Sequence, residues 1–124
     1  MRIRRVELGL AGMLVIAASC ATTIDYDGHD LFVTNCANCH GVTGAGDGPL
    51  SQDLSVALRD LRRIRDERGM FPREIVEQII DGRRGHSAPD MPKWGKVFTK
   101  DAEAKIDALV DHIHTLQRAT DSAD

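Results

Sequence analysis

Apolar residues recur along the chain at the three- and four-residue spacings of amphipathic helices. Ile106, Leu109, Val110, Ile113 and Leu116 follow the i, i+3, i+4, i+7 template, and Thr99 is the expected N-cap of that last helix. Ile75, Val76, Ile79 and Ile80 form a second stripe on a helix predicted over 72–81, with Pro72 at its first position and Gly82 just past its end. Asp27 can cap a shorter helix reaching residue 35 or so. Between these segments, Leu54, Leu58, Leu61 and Ile64 also fall at helical spacings, with Arg59, Arg62, Arg63 and Arg65 interleaved as a solvated face. Gly41, Gly44, Gly46 and Gly48 put four glycines into eight residues, which predicts a flexible loop. It is a poor phosphate cradle, because no strand precedes it and the G-K-[ST] ending is missing.

The first residues belong to none of these elements. Arg2, Arg4 and Arg5 precede an apolar run of eleven residues over 8–18, the pattern of a secretory signal. A spanning helix needs about 20 consecutive apolar residues, and Glu7 and Asp25 leave too few. Cleavage after Ser19 would make Cys20 the first mature residue. Ala17, Ser19 and Cys20 resemble a bacterial lipobox, with Ala17 where that motif usually has Leu, and the resemblance implies lipid attachment at Cys20. A plain signal peptide is the alternative.

Composition changes the picture in two ways. The 124 residues suit one domain, and 16 basic against 19 acidic residues give a net charge of −3 that argues against a nucleic-acid partner. The segment 1–19 carries three of the arginines and one glutamate, so the mature balance is 13 to 18, or −5. Only Tyr26, Phe32, Phe71, Trp94 and Phe98 are aromatic, little ring area for a small domain to bury. Amphipathic helices with so few rings require something else apolar at the centre.

The cysteines say what it is. With Cys20 assigned to processing, Cys36 and Cys39 remain, in Cys36-Ala37-Asn38-Cys39-His40, the C-x-x-C-H pattern of c-type haem attachment. Two thiols three positions apart can each add to one vinyl group of the haem, and His40 then lies under the iron as proximal ligand. A thioredoxin-like motif would need a βαβ context, and no β-rich apolar run precedes Cys36. Zinc would need a second ligand pair, and His86, His112 and His114 do not supply one at short spacing. A structural disulfide would make His40 incidental. For a second axial ligand the candidates are Met70, Met91, His86, His112 and His114. Met91 stands out, because Asp90-Met91-Pro92-Lys93-Trp94-Gly95 reads as a loop in which a methionine is a poor core filler, and a thioether is a soft ligand suited to haem iron. Met70, next to Phe71, reads as filler. One of the interleaved arginines meeting a haem propionate is a second reading of that segment. A buried porphyrin supplies the missing apolar area at about 25 cal/mol per Å², so haem loss is expected to cost fold as well as function.

In this order the residues resemble the class I c-type cytochromes, small monohaem electron carriers, over about residues 27–117. Gly28, Phe32 and Cys36 repeat the family's G-x₃-F-x₃-C spacing, where the small residue permits close crossing by the last helix. Pro49 resembles the family proline whose carbonyl accepts the proximal histidine N–H. Met91, Pro92 and Trp94 resemble the distal loop, and 109–116 the terminal helix. His112 departs from the pattern by standing where many relatives carry an aromatic residue, which puts in question the packing of that helix against Phe32. The resemblance implies an all-α, cytochrome c-like fold of about four to five helices round one covalent haem c. Signal peptide 1–19, tether 20–26, cytochrome domain 27–118 and tail 119–124 complete the expected organisation. The expected function is periplasmic electron transfer with His40 and Met91 as axial ligands and no enzymatic step. Redox proteins are the expected partners, for a monomer or a complex subunit held to the membrane through Cys20. A haem enzyme or ligand sensor is the alternative from another class, and a small haem subunit of an oxidase or dehydrogenase the alternative from the same one.

Overall fold

The computed structural model describes residues 24–85 and 89–121. The signal segment, Cys20 and His86 lie outside them. Among the described residues there are five helices and no strand: α1 Gly28–Asn35, α2 Ala37–His40, α3 Arg73–Asp81, α4 Trp94–Val97 and α5 Ala102–Asp121. Two 3₁₀ turns, Ser51–Asp53 and Leu61–Arg63, interrupt the long connection from α2 to α3. The expected all-α architecture is therefore the observed one. None of the described helices is long and apolar enough to cross a membrane.

Helix α5 is the spine, because its buried stripe of Ile106, Leu109, Val110 and Ile113 meets Phe32 from α1 and Val76 and Ile80 from α3. The Asp27 carboxylate caps α1 by accepting from the His29 and Asp30 amides at 2.8 and 3.1 Å. At Gly28 the backbones come so close that a Cβ would overlap the Ala108 carbonyl. The His112 ring lies 5.0 Å from the Phe32 ring, and Phe32 is 0% exposed. Histidine thus takes the aromatic place without loosening the helix pair. Its Nε2 is buried without a hydrogen-bond partner, and burial, reinforced by neighbouring His29, lowers its pKa against a smaller opposing pull from Asp27.

The stripe on α3 is narrower than its spacing suggests, for Val76 and Ile80 are buried while Ile75 is exposed. Pro72 stands one residue before the helix, and Gly82 ends it in the left-handed region at φ 91°. Arg73 ties α3 to α5 by pairing with Asp107 and with Asp111.

Three expectations need correcting. Thr99 is not the cap of α5: the Asp101 carbonyl accepts from the Lys105 amide at 3.0 Å, and Asp101 turns the chain at φ 53°. The Asp101 carboxylate accepts from the Tyr26 hydroxyl at 2.6 Å, which fastens the segment before α1 to the start of α5. Met70 is not core filler, being 64% exposed; its amide donates to the Asp66 carboxylate and its carbonyl accepts from the Asp66 amide, which closes a surface turn. The 51–66 leucines lie on extended chain and tight turns instead of one helix face. Gln117, 2% exposed, explains part of this. Its amide oxygen accepts from the Ile64 amide at 2.9 Å and from Arg65 at 2.8 Å, and its amide nitrogen donates to the Leu61 carbonyl. Polar bonds from α5 hold the turn, with Leu61 and Ile64 packed against the core.

Replacing Gly28 with Ala should destabilise the haem-loaded protein by about 1–3 kcal/mol in denaturant unfolding; unchanged stability would contradict so close a crossing. The fold keeps His112 neutral, so the unfolded chain binds its proton more readily, and stability falls as pH drops below the ordinary histidine value of about 6.5. His112→Phe should flatten that slope in melting curves taken between pH 7 and pH 5, the window about that value.

Candidate functional site

Cys36 closes α1 and opens α2: its carbonyl accepts from the Cys39 and His40 amides at 3.2 and 2.9 Å. Ala37, 6% exposed, turns to the core, and the cleft is lined by Cys36, Cys39 and His40. Helix α2 is only four residues long and needs partners for its last carbonyls. The glycine loop supplies them, with the Leu50 amide donating to Asn38 (2.9 Å), Gly48 to Cys39 (3.1 Å) and Gly46 to His40 (2.8 Å). A side chain at Gly48 would overlap the carbonyls of Ala37, Asn38 and Cys39. The glycines therefore make a fitted wrap in place of the flexible loop their number predicts.

Facing α2 across an apolar cleft stand Leu54, Val56 and Leu58 on one segment and Asp90, Met91, Pro92 and Trp94 on another. The cleft holds about 560 Å³, its open mouth included. Leu54, Val56 and Leu58 alternate as extended chain does; that period of two was the available signal, hidden by the helical spacing of Leu54, Leu58 and Leu61. Asp90 accepts from the Ser55 hydroxyl at 2.6 Å and its amide at 3.0 Å, joining the two segments. Those bonds hold the Asp90 carboxyl below the usual carboxylate range. Trp94 also packs against Phe98, with ring centroids 5.2 Å apart.

Of the axial candidates among the described residues, Met91 alone lines this cleft beside His40. Met70 sits on its surface turn, His114 stacks on Phe71 at 4.7 Å, and His112 packs on Phe32. None of the four arginines lines the cleft; Arg62 pairs with Asp60 at 2.8 Å, and Arg65 with Gln117. A larger hollow, about 790 Å³ with its opening, lies between residues 24–29 and α5. It is lined with carboxylates and imidazoles and has no thiol or thioether.

Electrostatics suit the cleft to a neutral metal-binding group. Burial lowers the His40 pKa, so its imidazole is neutral and keeps a lone pair for a metal. Its Nδ1 is buried and unpartnered, so the bond to the Pro49 carbonyl that the resemblance implies is not made here. Gly48 and Leu50, on either side of Pro49, spend their amides on α2, which brings Pro49 next to the histidine turn while leaving it exposed. Cys36 and Cys39 are free thiols. Burial, and secondarily Cys39, pushes the Cys36 thiol up to about 12. A thiol that stays protonated is unlike the activated thiolate of a disulfide-exchange motif. Two thiols, one neutral imidazole, one thioether and an apolar lining are a donor set that fits haem.

No curated protein and no solved structure matches the chain. The family described as cytochrome C oxidase, cbb3-type, subunit III matches residues 25–113, which include both walls of the cleft and most of α5. The chain belongs to this family, one of c-type cytochromes, and with it to proteins whose domain implies haem-based electron transfer.

Proposed function

We propose that the protein is an exported one-electron carrier whose haem c is bonded through Cys36 and Cys39 and held axially by His40 and Met91. The observation that carries this is the meeting of those four side chains in one apolar cleft, although Met91 comes from a loop far along the chain. When bound there, the haem supplies an iron that changes charge by one electron. The chain's residues do the rest. Burial keeps the His40 imidazole unprotonated; its Nδ1–H is unpartnered as it stands, and the Pro49 carbonyl on the adjoining loop would have to turn toward it to fix the ring tautomer. The Met91 thioether raises the reduction potential relative to nitrogen ligation. Leu54, Val56, Leu58, Pro92 and Trp94 give the cleft the apolar lining that would keep water from the haem. With both axial positions filled by protein, no position is left for substrate, which argues against the peroxidase or gas-sensor alternative.

The family description favours one refinement. Its members are named as an oxidase subunit, so the chain passes electrons inside a larger membrane assembly as a fixed component. A lipid on Cys20 would hold it at the outer face of that membrane; this part rests on the pattern of residues 1–20.

The ferric holoprotein should show the weak far-red band of thioether-ligated haem, and Met91→Ala should abolish it. A high-spin spectrum in the wild type that shifts with carbon monoxide or cyanide would support the enzyme or sensor reading. Mass spectrometry of the membrane fraction should find the mature chain starting at Cys20 with an added diacylglyceryl mass; an unmodified N-terminus would leave a plain signal peptide.

A further inference from the structure

Met91 lies on a loop that side-chain bonds tie to the segment 54–58. The Ser55 hydroxyl and amide both donate to one oxygen of Asp90, at 2.6 and 3.0 Å. Ser55 sits between Leu54 and Val56, which line the cleft, and Asp90 adjoins Met91, which lines it too. The clip therefore joins the two segments that face α2, at the residue next to the thioether.

We infer that Asp90 and Ser55 are positioning residues for Met91: their clip fixes the loop so that the thioether stays directed at the cleft and resists displacement by another ligand. The inference rests on Met91 being the axial ligand. A side chain on a loop loses conformational freedom when it binds, and a two-point clip at the neighbouring residue removes part of that freedom beforehand. Asp90→Ala removes both hydrogen bonds. Ser55→Ala removes only the hydroxyl donor and leaves the amide bond, so its effect must be the smaller. Ser55→Thr keeps the hydroxyl.

The test is an imidazole titration of the ferric, haem-loaded full chain, followed by loss of the far-red band. Asp90→Ala should bind imidazole about three- to tenfold more tightly than the wild type, as expected for losing hydrogen bonds to a charged group at the surface. Ser55→Ala should fall between them, and Ser55→Thr should match the wild type. Tyr26→Phe serves as a control for general loosening: it breaks the Tyr26–Asp101 bond, and should lower the melting temperature without changing imidazole affinity. If Asp90→Ala and Ser55→Ala bind imidazole like the wild type while Met91→Ala loses the band, the clip is refuted and the ligand assignment stands. A matching gain of affinity in Tyr26→Phe also refutes it, because the effect would be one of overall stability. If Met91→Ala keeps the band, the ligand assignment fails and takes the clip with it.

Discussion

The close crossing of α1 and α5 is the contact on which the remaining geometry depends. Gly28 lets the α1 backbone come against the Ala108 carbonyl, and Phe32, one turn on, fills the space beneath. Cys36 follows at the end of the same helix, so the depth at which α1 seats on α5 sets where the histidine turn stands. Helix α3 is seated on α5 by Val76, Ile80 and the Arg73 ion pairs, and α4 packs Trp94 against the same core. The loop between them carries Met91. Both walls of the cleft are thus measured from one helix, and a shift of either partner along α5 would change the distance between His40 and Met91.

The two walls are built differently. The α2 wall is held by three main-chain bonds to its terminal carbonyls, with glycines that leave no space for adjustment. The Met91 wall is held by side chains: the Asp90–Ser55 clip, the packing of Met91 on the core and the Trp94–Phe98 contact. Under the proposed ligation, His40 would bind from a turn held by main-chain bonds and Met91 from a loop that side chains tie in place.

How much of this could be read from sequence follows from which signals are local. The α3 and α5 stripes report burial directly, since a helix buries residues three and four apart. The C-x-x-C-H turn is visible because its chemistry fixes its own spacing. The 51–66 segment misleads because leucines at helical spacing carry no information on whether a helix forms, and here the turn is held by Gln117 from 53 residues away. Nothing near Ile64 announces that partner. Thr99 looks like a cap by residue type, but Asp101 has both the place and the Tyr26 contact that uses its carboxylate. The cleft itself was legible as a list of residues and not as a shape, because Leu54, Val56 and Asp90 reach it only through contacts between distant segments.

The wrap of glycine loop around α2 also bears on the order in which the protein is made. Its hydrogen bonds join residues no more than twelve apart, the longest running from Leu50 to Asn38, and short loops close quickly and at small entropic cost. The histidine turn is therefore a local unit, able to take shape while the chain beyond it is still unpaired. Met91 reaches it from a loop beyond α3, a contact between distant parts of the chain. During biogenesis the thiols would be presented on a formed turn with the opposite side still open, which is the condition a bulky flat group needs if it is to be stitched in before the cleft closes over it.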